Sequence, residues 1–120
     1  MSVYQVPHPA PPPTTDQAVL SVALTTEGPA SVVEVRGELD MDTVGLLVDF
    51  TTTVLAGLPP PVLVLDLSGV SFFGAAGITA LLTVRRQTAA RGCALVIRKP
   101  SRITVTILNL VGLRDEFITE

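Results

Sequence analysis

The chain has very little to do chemistry with. It holds a single cysteine, Cys93, a single histidine, His8, one tyrosine and no tryptophan in 120 residues. One cysteine cannot close an intrachain disulfide, which points to a cytoplasmic protein. One histidine and one cysteine do not make a metal set, and no nucleophile, base and metal ligand converge, so an enzyme is not expected and no cofactor is implied. No apolar run approaches the roughly 18–20 residues that cross a bilayer, and no basic segment leads an apolar one at the N-terminus. Direct membrane insertion and a secretory signal are therefore not expected.

Charge is also scarce, 11 acids against 8 bases, but it is unevenly spread. Arg36 is the only base before residue 70, among Asp16, Glu27, Glu34, Glu38, Asp40, Asp42, Asp49 and Asp66. Arg85, Arg86, Arg91, Arg98, Lys99, Arg102 and Arg114 follow, spread over several elements without interleaved aromatic residues. A nucleic-acid groove needs a concentrated basic stripe or stacking residues, so no nucleic-acid partner is expected.

Almost half of the residues are apolar, enough for one domain with one core. Residues 1 to 17 carry His8 and half of the ten prolines, in PHPAPPP, and read as an extended, disordered tail. The domain proper runs from 18 to 120. AVLSVALT and SVVEVRG are short strands around a turn at Gly28-Pro29. Residues 37 to 57 then show a helical stripe of Val44, Leu47, Val48, Val54 and Leu55, broken by threonines. Asp40 is its expected N-cap, with Asp42 in the first turn, and Gly57 with Pro59-Pro60-Pro61 ends it. VLVLDL, at 62 to 67, reads as a covered strand, and Ser68-Gly69 as turn chemistry. Ile78, Leu81, Leu82 and Ala89 mark a second helix stopped by Gly92, and CALVIRK is another strand.

Residues 101 to 112 carry two patterns. Ile103, Val105 and Ile107 alternate as in a strand, whereas Ile103, Ile107, Leu110 and Val111 form a helical stripe. The spacing from a Ser101 cap to a Gly112 stop favours the helix. With a last strand around 116 to 119, the order is ββαβαβαβ: an α/β fold with a mixed sheet and its helices mainly on one side.

Three pieces in this order resemble the STAS domain of bacterial anti-sigma-factor antagonists. They are Gly37-Glu38-Leu39-Asp40 leading into the first helix, LDLSGVSF at 65 to 72 followed by the second helix, and Leu108 to Leu113 with Gly112. The resemblance covers about Ala18 to Phe117. It implies a protein-binding regulator whose partner is an anti-sigma factor of the kinase-like type. In that family, aspartate, serine, serine or threonine, and glycine occupy the strand-to-helix junction, and the partner phosphorylates the first hydroxyl residue to release itself.

The matching residues here are Gly74, Ala75, Ala76 and Gly77, so Ala75 stands at the phosphoacceptor position without a hydroxyl. The four small residues also suit a tight turn that needs close packing. Gly74 replaces the aspartate as a weaker cap, and Ser68, Ser71 and Thr79 are the nearest hydroxyls. The resemblance implies a partner-binding surface of Glu38, Asp40, Phe72, Phe73, Gly74, Ala75, Ala76, Gly77 and Ile78. It also implies a further helix after the last strand, which this sequence does not contain. Two other readings stand beside the antagonist: a STAS accessory subunit of a membrane lipid ABC transporter, and a ligand or nucleotide sensor. No Gly-rich phosphate loop with a lysine supports the sensor.

Overall fold

The computed structural model describes residues 2–5 and 20–120. Six strands form one sheet in chain order: β1 (Ser2–Gln5), β2 (Ser21–Glu27), β3 (Ala30–Leu39), β4 (Val62–Phe73), β5 (Ala94–Arg98) and β6 (Ile118–Thr119). The first two pairings are antiparallel and the remaining three parallel. Between them lie α1 (Val44–Leu55), α2 (Ala75–Ala90) and α3 (Arg102–Leu110), with a short 3-10 turn at Arg114–Glu116. The expected α/β order is present, and residues 102 to 110 are indeed helical.

One strand was not expected. The sequence reading makes residues 1 to 17 a tail without regular structure, yet Ser2–Gln5 pairs along β2, Val3 opposite Ala23. SVYQ holds two good strand formers and no proline, so the proline restriction begins only after it. The rest of that stretch, His8 and its prolines included, lies outside the described residues.

All three helices cover the same face. Leu47 and Leu55 of α1, Leu81 and Val84 of α2 and Leu108 of α3 share one core with Val33, Val35, Leu63, Leu65, Leu67, Leu95 and Ile97 of the sheet. The threonines of α1 are accommodated by bonding backward within the helix: Thr51 Oγ1 donates to the Leu47 carbonyl at 2.9 Å, and Thr52 and Thr53 do likewise to Val48 and Asp49. That satisfies a hydroxyl, Thr51's, that faces the core. Gln87 Nε2 donates to Thr52 Oγ1 at 2.7 Å and Arg91 to the Gly57 carbonyl at 2.6 Å, tying α2 to α1. Ala89, expected on the buried stripe of α2, is exposed, and Val84 and Thr88 take the inward positions instead.

Ser68-Gly69 is not a turn. β4 runs straight through it to Phe73, and the pairing with β3 slips twice, between Glu34 and Arg36 and between Gly37 and Glu38. At each slip β4 carries one extra residue, so each is a bulge that re-aims the side chains after it. Asp66 Oδ1 accepts the Ser68 N–H at 3.0 Å and its hydroxyl at 2.7 Å, the local bonding that looks like a turn in sequence. Gly69 has no room for a side chain there, since a β-carbon would lie 2.7 Å from Cγ of Arg36.

With one extra residue at each bulge, the buried positions of this half of β4 are Leu67, Val70 and Phe73; Phe73 is 1% exposed, and Phe72 points outward, 46% exposed. The Phe73 ring lies on Gly77 in the first turn of α2, where a β-carbon would come within 2.8 Å of two ring carbons. Phe73 is enclosed and cannot move aside. Gly77→Ala is therefore expected to destabilise the domain: overpacking costs about 1–3 kcal/mol, more than the roughly 0.5–1 kcal/mol that alanine gains in a helix. A urea titration measures it, and an equal or higher midpoint would show the contact to be slack. Cys93, buried behind α2, has its thiol pushed up from the usual value by burial. It should react with a thiol reagent far more slowly in the native protein than in urea.

Candidate functional site

β3 and β4 run parallel, so both deliver their C-terminal ends to the same edge of the domain. Glu38 lies opposite Phe72 and Leu39 opposite Phe73, and the Gly74 N–H donates to the Leu39 carbonyl at 3.3 Å. The chain leaving β3 and the chain entering α2 are thereby held side by side. Each then makes a different kind of turn.

After β3, Asp40 organises the turn. Its Oδ1 accepts the N–H groups of Asp42 at 2.9 Å and Thr43 at 3.1 Å. Thr43 answers: its Oγ1 accepts the Asp40 N–H at 3.0 Å and donates to the Glu38 carbonyl at 2.6 Å. This reciprocal pair has the spacing of a capping box, with threonine in place of the usual acid or amide. It is centred on Asp40 as expected, but the helix itself begins later. The first residue of α1 is Val44 and its N-cap Thr43, so neither Asp40 nor Asp42 belongs to the helix's first turn. Asp40 remains joined to the helix through its carbonyl, which accepts the Val44 N–H at 3.0 Å. Thr43 was missed because threonine inside an apolar stripe reads as filler. The signal was its place three residues after Asp40.

After β4, nothing but backbone makes the turn. Gly74 is the N-cap of α2, extended, with no side chain capping the helix. Its carbonyl accepts the N–H of Gly77 at 2.9 Å and of Ile78 at 3.3 Å. Ala75 is exposed, and Gly74 and Ala76 are half-buried. The helix start thus offers a small, neutral surface where its dipole favours negative charge.

Of the nine residues expected at a partner surface, the structure turns two inward. Phe73 and Gly77 are buried against each other, and Ile78 is half-buried against the core. Glu38, Asp40, Phe72, Gly74, Ala75 and Ala76 reach the surface at this edge. Met41, which sequence reasoning passed over, joins them: at the tip of the Asp40 turn it is 86% exposed. An apolar side chain between two acids in a loop carries no periodicity, so only the structure singles it out. Of the nearby hydroxyls, Ser68 is engaged by Asp66, Ser71 is exposed, and Thr79 Oγ1 reaches the Ala75 carbonyl at 3.4 Å. No helix among the described residues is long and apolar enough to cross a membrane.

The family described as "Mlab, STAS domain" matches residues 22–120. The chain belongs to the STAS domain family. It is similar to an anti-sigma factor antagonist from Mycobacterium paratuberculosis, with 32% identity over 83% of this chain and 84% of that one and a TM-score of 0.70. The fold is shared with RsbS of Moorella thermoacetica at 19% identity, over 82% of this chain and 85% of that one (TM-score 0.69). It is shared too with the phosphorylated form of the Bacillus cell fate determinant SpoIIAA at 18% identity, over 82% and 90% (TM-score 0.63). No curated protein matches the sequence significantly. The domain is a STAS domain of the anti-sigma-factor-antagonist kind.

The reciprocal pair separates capping from charge. Asp40→Asn should leave stability nearly unchanged, because asparagine accepts the same two N–H groups. Thr43→Val should cost about 1–3 kcal/mol, because the Glu38 carbonyl and the Asp40 N–H lose their partner. Denaturant midpoints of the two variants check this, and equal losses would mean that the charge of Asp40 matters to folding.

Proposed function

We propose that this chain is an anti-sigma-factor antagonist that binds an anti-sigma factor of the kinase-like type and works without the usual serine phosphorylation switch. The observation that carries the reading is the 32% identity, over most of both chains, with the Mycobacterium paratuberculosis antagonist. The contact surface is the edge built from Glu38, the Asp40 turn, Phe72 and the Gly74–Ala76 start of α2. Ala75 takes the place of the acceptor.

The physics supports a switch that has been lost rather than moved. A phosphate on residue 75 would add about −1.5 to −2 charges beside a helix start that tolerates an anion. The domain would stay folded, and only the surface shown to the partner would change. SpoIIAA, of the same fold, is known in unphosphorylated and phosphorylated forms. Alanine holds residue 75 neutral and small, so the chain resembles the unphosphorylated form permanently. Ser68 is a poor substitute, since its hydroxyl already donates to Asp66 and lies within the first bulge of β4, well before the helix start.

A second reading has one specific observation behind it. The matching family carries the description "Mlab", which fits the alternative of an accessory subunit docking on the nucleotide-binding part of a membrane lipid ABC transporter. Both readings make the domain a binding module. They differ in the partner, and capture from the native lysate with mass spectrometry of what is held distinguishes an anti-sigma factor from a transporter subunit.

Reconstructing the switch tests the first reading. In Gly74→Asp with Ala75→Ser, the new β-carbon at 74 lies 3.1 Å from the Phe72 ring, which is half-exposed and free to give way. With ATP and a kinase-type anti-sigma factor that binds the natural chain, the double variant should gain one phosphate and dissociate. The natural chain should gain none at 74 to 77 and stay bound. If the phosphorylated variant remains bound as tightly as the natural chain, this edge is not the interface.

A further inference from the structure

The face of the sheet away from the helices should be the wet one, yet two of its valines are dry. Val32 and Val64 pair with each other across β3 and β4 and are 2% and 3% exposed, although neither belongs to the core under the helices. Val64 pairs in turn with Val96, and Val96 with Ile118, so an apolar row crosses four strands on that face.

One side chain spans this row. Arg98, on β5, shares the face of Val96 and Val64 by strand alternation. Its guanidinium Nη1 and Nη2 donate to both carboxylate oxygens of Glu27, at 2.8 and 3.0 Å, and its Nε donates to Glu120 at 2.7 Å. Glu27 lies on β2, so the arginine and glutamate between them bridge β4 and β3. The pairing places Arg98 opposite Asp66, and Glu27 in the row of Ala30 and Val62. The diagonal joining them therefore crosses β4 near Val64 and β3 near Val32. The Arg98 side chain is only 20% exposed, low for an arginine on a sheet surface. Its apolar stem lies along the sheet while its fork is held at the far end. Glu27 is held below its usual carboxylate range, chiefly by the Arg98 hydrogen bond.

We infer that Glu27, Arg98 and Glu120 form an ionic strap that closes the helix-free face of the sheet and pins its last strand. The inference goes beyond the proposed function and is independent of it. A paired fork fixed at two carboxylates is geometrically specific, and β6, only two residues long, has little else to hold it. Its backbone is tied at this end through the Lys99 N–H to the Glu120 carbonyl, 3.1 Å, and the Glu120 N–H to the Ile97 carbonyl, 2.9 Å. With the strap in place, Val32 and Val64 are unavailable for docking. With it released, the row is uncovered and the final strand loosens.

Backbone hydrogen exchange, read residue by residue by NMR, tests the strap in the full chain. Arg98→Met keeps an apolar stem and removes the fork. The Lys99 and Glu120 amides should then exchange roughly tenfold faster, while those of Val33 and Leu65 keep their rates. Glu27→Gln, whose side chain is 55% exposed and which keeps one acceptor oxygen, should give a smaller acceleration at the same two amides and increased binding of an apolar dye. Unchanged rates at Lys99 and Glu120 in both variants would overturn the strap. So would equal acceleration at every amide, which would mean a general loss of stability rather than release of one strand.

Discussion

The β-carbon that Gly77 lacks would stand 2.8 Å from the ring of Phe73, and the edge where β4 meets α2 is arranged around that close approach. Burying Phe73 requires β4 to present it to the helical side, and after the two bulges in its pairing with β3 both Val70 and Phe73 face that way. Once the ring lies on Gly77, the first turn of α2 is pressed against the end of β4. The residues on its other side, Ala75 and Ala76, are turned toward solvent. Exposure of Ala75 is therefore a consequence of core packing, and does not depend on what residue stands there. A residue with or without a hydroxyl at this position would have the same geometry.

The neighbouring turn reaches the same edge by another route. Where α2 starts with bare backbone, α1 is introduced by a closed set of hydrogen bonds between Asp40, Thr43 and Glu38. Those bonds satisfy groups that β3 leaves unpaired as it ends, and they hold Met41 out at the tip. A turn already ordered loses little entropy on binding, so what it displays is recognised at lower cost. The edge then combines an ordered acidic turn carrying one apolar side chain, a half-exposed phenylalanine and a neutral helix start. It has the mixed character of a protein-binding surface.

The two faces of the sheet are closed by different means. On one, three helices bury a continuous aliphatic core. On the other, a single arginine held at both ends shields the middle of an apolar row. The second solution suits a short domain with no further layer over that face among the described residues. It also concentrates charge where the sequence shows only scattered bases. Arg85 does a related job behind α2, donating to the Glu116 carbonyl at 3.0 Å and lying over the ring of Phe117.

Much of this was legible in the chain itself. Strands with period two, helices with period near four, and stops at Gly57, Gly92 and Gly112 are local properties, because they arise from backbone preference and from which side chains avoid water. The small residues at 74 to 77 marked the junction between β4 and α2, since a turn into a helix packed this closely needs small side chains. Local pattern could not tell that Ser68-Gly69 continues a strand, because a bulge is defined by the partner strand. Nor could it tell that Val70 faces in and Ser71 out, for the same reason. The roles of Thr43 and Arg98 were invisible because their partners lie across a turn or across the sheet. What the sequence by itself determined was the set of elements and the place where they meet. Which side chains face one another across strands was decided only by the tertiary structure, because register and bulges are properties of two chains in contact.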